Sequence, residues 1–253
     1  MHEPLIKIMK KIQYALLAAL IIMAASCNFT EEIHINEDGS GKLSINFDGS
    51  EMMEMAGEEM AKTNEKPIDS IISFKDFLEE KKDSIAQLPI EEQEKLKKLE
   101  QFNMRMVMNP ETKEMKFDLF SEFKNVSEVN DAFGAFQDAG SIGGKSNPQQ
   151  GPMKPTEQPT EVNYTFKKNK FTRTAKIVDQ ELFEQQLDSL QGAEMFLSGS
   201  TYTLKYHFPK KIKSTTAEEA TFSQDGKTLI YEVNFLELMK NPSVLDLEVE
   251  LEK

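Results

Sequence analysis

Apolar and polar residues take turns along much of this chain, and the period of that alternation predicts most of its elements. Ile33 and Ile35 alternate with polar neighbours, as do Leu43, Ile45 and Phe47 beyond the stretch Glu37-Asp38-Gly39-Ser40-Gly41. A hairpin with an Asp-Gly turn follows, because glycine accepts the positive φ that such a turn needs. Met104, Met106 and Met108 alternate before Asn109-Pro110-Glu111-Thr112-Lys113, and Met115, Phe117 and Leu119 after it, which predicts a second hairpin. Val162, Tyr164 and Phe166 lead through Lys167-Lys168-Asn169-Lys170 to a returning strand from Phe171 to Ile177. Tyr202, Leu204, Tyr206 and Phe208 form a strand stopped by Pro209, and Ala220–Ser223 faces Leu229–Val233 across Gln224-Asp225-Gly226-Lys227. At the end, Leu245, Leu247, Val249 and Leu251 share one side while Asp246, Glu248, Glu250 and Glu252 share the other. That is the signature of a sheet with one dry and one wet face.

Helical spacing appears between these strands. Ser50 caps a helix to about Lys62, with Met52, Met53, Met55, Ala56 and Met60 on its apolar side. Core packing explains this spacing better than an adaptable methionine surface does. Asp69 to about Ser84 reads as a second helix, carrying Ile71, Ile72, Phe74, Phe77 and Leu78, with Ile85 just beyond. Pro89 opens a third, through about Gln101, with acidic Glu91 and Glu92 at its start and Lys95, Lys97 and Lys98 near its end, as the helix dipole favours. Asn125 or Ser127 starts a fourth, bearing Val126, Val129, Phe133 and Phe136. Asp179 caps a fifth, with Leu182, Phe183, Leu187 and Leu190, ended by Gly192. The pattern gives about nine strands and five helices. The fold class is α+β: largely antiparallel sheets built from hairpins, with amphipathic helices packed on one face and the strands of both halves in one sheet.

One segment cannot build a core. GSIGGKSNPQQGPMKPTEQPT, residues 140–160, is dominated by Gly, Pro, Gln and Ser. It divides an N-terminal half, 27–139, from a C-terminal half, 161–253, the two sharing one core. AGSIGGKS at 139–146 fits a relaxed phosphate-loop pattern, but a helical pattern precedes it and Pro148 and Pro152 follow. A phosphate loop needs a strand before and a helix after, so nucleotide binding is not expected. The Asp38/Gly39 turn likewise lacks the spaced carboxylates and terminal Glu of a calcium-binding EF-hand.

The N-terminus is of a different kind. Lys10 and Lys11 precede an apolar run from Ala15 to Ala25, then small residues and Cys27. These are the three regions of a secretory signal peptide, residues 1–26. The run is cut short by Asn28, Thr30, Glu31 and Glu32, and a membrane span needs about 20 apolar residues. Met9 opens a more ordinary signal than Met1. Ala24-Ala25-Ser26-Cys27 resembles the lipobox of bacterial lipoproteins. That resemblance implies cleavage between Ser26 and Cys27, diacylglycerol on the Cys27 sulfur and acylation of the new amine. Ala24 stands where the family prefers Leu. Cys27 is the chain's single cysteine, so no internal disulfide can form. Its acyl chains make the lipid bilayer the first partner, at about 0.8 kcal/mol per buried methylene.

Cleavage would remove Lys7, Lys10, Lys11 and Glu3 and leave 227 residues with 27 basic and 42 acidic side chains, a net charge of −15. Such a balance disfavours nucleic acid and anionic head groups. With no Trp and three His, at 2, 34 and 207, there is little material for acid–base or metal chemistry. His34 alternates away from Ile33 and Ile35, and His207 away from Tyr206 and Phe208, so both are expected at the surface. No Gly-x-Ser-x-Gly accompanies them, and no pair of carboxylates stands out as a glycosidase would require. No catalytic residue, cofactor or metal ligand is assigned.

Tyr206-His207-Phe208-Pro209, Asp225-Gly226-Lys227-Thr228-Leu229 and Asp38-Gly39-Ser40-Gly41 resemble elements of the LppM-like envelope lipoproteins. The resemblance implies an α+β domain that contacts lipids or other envelope components; the insert at 50–102 departs from it. Asp69-Ser70-Ile71, Asp83-Ser84-Ile85 and Asp188-Ser189-Leu190 resemble acceptors of a bacterial O-glycosylation system, although helix capping accounts for Asp and Ser there as well. The expected protein is a lipid-anchored module of the bacterial envelope, at the outer rather than the inner membrane. It acts as a noncatalytic binding or structural unit on an unidentified envelope protein or lipid. The alternatives are a carrier of lipid or apolar ligand in the periplasm and, third, an envelope hydrolase.

Overall fold

The computed structural model describes residues 28–51, 53–54, 67–132, 134–137, 158–190, 192 and 194–253. The signal segment, Ser26 and Cys27, most of 140–160, Phe133, and Met52, Met55, Ala56 and Met60 lie outside the described residues.

The first half contributes β1 (Asn28–Ile35), β2 (Gly41–Asp48), β3 (Ile68–Ser73), β4 (Asn103–Asn109) and β5 (Glu114–Phe123). The second contributes β6 (Thr160–Lys167), β7 (Lys170–Ile177), β8 (Thr201–His207), β9 (Ile212–Thr215), β10 (Thr221–Phe222), β11 (Thr228–Asn234) and β12 (Leu247–Leu251). They assemble into an eight-stranded sheet, β10-β11-β8-β1-β2-β5-β4-β3, and a four-stranded sheet, β6-β7-β12-β9. Strands of both halves share the large sheet, as expected, while β6, β7, β12 and β9 form a second one. All pairings are antiparallel except that of β1 with β8.

The inner face of the large sheet is dry for the reason the alternation gave: Ile33, Leu43, Ile45, Met104, Leu119, Leu204 and Leu229 are all buried. The small sheet covers part of it, with Phe171 against Tyr206 and Phe208, ring centroids 5.2 and 5.5 Å apart. The helical insert adds buried Phe74, Leu96, Leu99 and Phe102 to the same core. That insert comprises α1 (Phe74–Glu80), α2 (Lys82–Ile85) and α3 (Ile90–Lys98), followed by a 3-10 turn at Leu99–Gln101. The remaining helices are α4 (Gln180–Leu190), α5 (Glu194–Leu197) and α6 (Phe235–Lys240). Among the described residues no helix is long and apolar enough to cross a membrane.

Several local expectations hold. Gly39 takes φ +85° in the first hairpin turn, Asp179 accepts from the Leu182 amide at 2.9 Å at the start of α4, and α3 begins just after Pro89. One does not. Asp69–Ser73, expected in a helix, lies in β3, which pairs with β4 along its whole length, and Ser73 caps α1 by accepting from the Asp76 amide. Six residues rich in Ile satisfy either period, and an open sheet edge decided between them.

Gly41 lies where β2 meets both β1 and β5. A Cβ there would stand 2.0 Å from the His34 carbonyl oxygen and 2.6 Å from the Phe123 ring. Backbone cannot yield as a flexible side chain can. Gly41→Ala is expected to cost about 1–3 kcal/mol, read as a lower urea midpoint with an unchanged slope.

Candidate functional site

Two clusters of ionisable groups lie back to back on β1, one on each face. Both depend on its parallel pairing with β8, which sets Glu31 opposite Leu204, Glu32 opposite Lys205 and His34 opposite His207.

The inner cluster centres on Glu31, which is fully buried. It falls in phase with Ile33 and Ile35, so the pleat that buries them buries it too. Tyr202 and Tyr206 flank its partner Leu204 on β8, and both hydroxyls reach it: Tyr202 donates to Oε2 at 2.7 Å and Tyr206 to Oε1. The small sheet supplies the rest. Tyr164 on β6 donates to Oε1 at 2.8 Å. Arg173, its partner across β7, is buried, with Nε 3.5 Å from Oε1 and Nη1 donating to the Leu245 carbonyl at 3.4 Å. That Nε has no hydrogen-bond partner, so the Glu31 contact is one of charge alone. Burial, and then the Glu31 charge, push the Tyr164, Tyr202 and Tyr206 phenols well above their ordinary range. Burial disfavours the Arg173 cation, but Glu31 and the three tyrosine oxygens together outweigh it and hold the guanidinium firmly protonated. A carboxylate, three neutral phenols and one cation pin the two sheets together in a low-dielectric interior.

The outer cluster is Glu32, His34 and His207 with Lys205. His207 Nε2 lies 2.8 Å and His34 Nε2 3.2 Å from Glu32 Oε1, and Lys205 Nζ lies 3.1 Å from the same oxygen. The imidazoles stack, centroids 3.9 Å apart and planes within 5°. The Nδ1 of His207 meets Thr228 Oγ1 at 3.0 Å. Burial works against the Glu32 charge, but hydrogen bonds from Lys205 and His207 outweigh it and hold the carboxyl below its usual range. His207 is pulled the other way: burial lowers it in spite of Glu32.

Both histidines stand on the polar face, as their parity predicts; what parity could not show is that β8 comes to lie beside β1 and stacks them. The three Asp-Ser sequences scatter. Ser70 is on the edge strand β3, Ser84 ends near the close of α2, and Ser189 donates to the Gln185 carbonyl in α4.

The architecture is that of an α+β domain with one large and one small, largely antiparallel sheet. No family model matches the chain, and no curated protein matches its sequence. Among solved structures it is similar to the folded domain of Mycobacterium tuberculosis LppM, determined by NMR, with a TM-score of 0.38, 6% identity and 89% of each chain covered.

Proposed function

We propose that this protein is a lipid-anchored module of the bacterial envelope that binds or braces a partner without catalysing a reaction. The observation that carries the reading is the position of β1. It begins at Asn28, one residue past the acylation site proposed at Cys27, and runs at once between β2 and β8 inside the large sheet. An anchor at Cys27 therefore meets the folded body with no spacer. The Asn28 end of the sheet rests at the membrane, and the His34 end stands about 20 Å away at roughly 3.3 Å per residue.

The space between the sheets, where a carrier would hold its ligand, is taken by Tyr164, Tyr202, Tyr206, Phe171 and Arg173, all buried. A depression of about 790 Å³ opens between the helical insert and α4, but Glu91, Lys95, Lys98, Asp131 and Asp179 are among its lining residues. Leu99, Phe102, Val178 and Leu182 line it as well, so its character is mixed.

Mass spectrometry of the native product is expected to find an acylated cysteine at the N-terminus. Crosslinking of intact envelopes should recover partners with the acylated protein and lose them with Cys27→Ser. An intact leader with a bare thiol would overturn the anchor. Partners retained equally by Cys27→Ser would overturn the tethered role.

A further inference from the structure

We propose that Glu32, His34 and His207 form a surface site for a divalent transition-metal ion of the zinc type. One ligand atom from each of the three side chains lies within 4.8 Å of the others, and the Nε2 atoms of both histidines face Glu32 Oε1. Imidazole nitrogen and carboxylate oxygen are the donors that zinc takes, at about 2.0–2.2 Å, and tetrahedral donors at that range stand about 3.3 Å apart. The two nitrogens already lie 2.8 and 3.2 Å from the oxygen. A small outward movement opens room for the ion.

Strand geometry supplies this spacing. Glu32 and His34 are two residues apart on β1 and share a face, and His207 faces His34 across the parallel pair. His34 has a side chain 53% exposed, so it can tilt from the stacked arrangement and turn its lone pair toward a shared ion. His207 is held more firmly. Its Nδ1 is engaged by Thr228 Oγ1, the kind of outer contact that fixes the orientation of a metal-ligating histidine. Without metal, a proton on Nε2 bonds Glu32 while the Thr228 hydroxyl donates to Nδ1. With metal, the ring proton moves to Nδ1 and donates to Thr228, and Nε2 offers its lone pair to the ion. The imidazole stays neutral, so the exchange of tautomers balances.

Lys205 is the group that opposes the ion. Its ammonium sits 3.1 Å from Glu32 Oε1 and is 40% exposed. It can swing into solvent, but its charge weakens the site. That yields a variant in which binding should rise. The three donors leave a fourth position facing solvent, where water or a donor from a partner would complete the shell.

The test uses the full mature protein in detergent micelles, titrated calorimetrically with zinc chloride and followed with cobalt(II) by visible absorption. One equivalent should bind, and cobalt should give the intense bands of a tetrahedral site. His34→Ala and His207→Ala should each weaken zinc binding at least 10-fold and abolish the cobalt bands. Thr228→Val should weaken it about 10-fold, and Lys205→Gln should strengthen it several-fold. His34 is exposed, so its variant keeps the fold, which circular dichroism verifies. Zinc binding that is equal in wild type and in the His34→Ala/His207→Ala double variant would overturn the proposal. So would the absence of binding by the wild type, which would leave the cluster a hydrogen-bonded ion pair.

Discussion

Replacing Glu31 with leucine is expected to destabilise the folded domain by at least about 3–5 kcal/mol, the cost of leaving a buried cation without its counter-charge. Arg173 has no outlet to solvent, and its hydrogen bond to the Leu245 carbonyl is long at 3.4 Å. Three phenol hydroxyls would lose their acceptor at the same time, each at further cost. A domain of ordinary stability, about 5–15 kcal/mol, has little room for this. The paired variant Glu31→Leu/Arg173→Met removes both charges and keeps apolar volume, so it should regain part of the loss. Urea unfolding of the two single variants and the double one gives the coupling directly. If the two single losses simply add, the charges are not holding each other, and the inner cluster is no more than three tyrosines around an acid.

The second large effect is at alkaline pH. Tyr164, Tyr202 and Tyr206 have their folded-state pKa raised above the ordinary value, by burial first and by Glu31 second. In the unfolded chain these phenols lose their protons near pH 10. Below that pH both states hold the same protons, and the contribution to stability is complete. Above it the unfolded chain gives up three protons that the folded chain keeps, so stability falls as pH rises toward the folded values. Each phenol contributes about 1.4 kcal/mol per pH unit, and three together about 4. The protein is therefore expected to unfold cooperatively within two or three units above pH 10. Tyrosinate absorbance should appear in the same step as the loss of circular dichroism. Tyr164→Phe should make that step shallower by one proton. Phenols that ionise near pH 10 while the dichroism persists would show that they are open to solvent.

The residues of the inner cluster were marked in the sequence, though not as a cluster. Glu31 falls on the same parity as Ile33 and Ile35, and Arg173 on that of Phe171. A charge in phase with a dry face is a buried charge in search of a partner. Period alone cannot supply the partner, because pairing between β1 and β8 is a tertiary choice across most of the chain. The same gap hid the outer cluster: His34 and His207 were each legible as surface residues, and their meeting was not. Hairpins were legible because their turns are local, as Gly39 and Gly226, with φ +85° and +70°, bear out. β3 is ambiguous in the sequence because Ile71 and Ile72 fit a helix as well as a strand. Ile71 is 64% exposed on that edge strand, a position where neither period is enforced by burial.

The parallel pair also has a history in time. β1 is the first of the described strands to be synthesised, and β2 can zip to it at once. Its other edge waits for Thr201, which lies 173 residues downstream of Asn28. Throughout that interval a central strand is left with an unclosed border, the kind of border that invites pairing with another chain. Its carboxylate at Glu31 has not yet met any of the tyrosines that will later enclose it. Long-range closure of this sort is slow. A newborn chain therefore exposes that border until Thr201 to His207 have emerged.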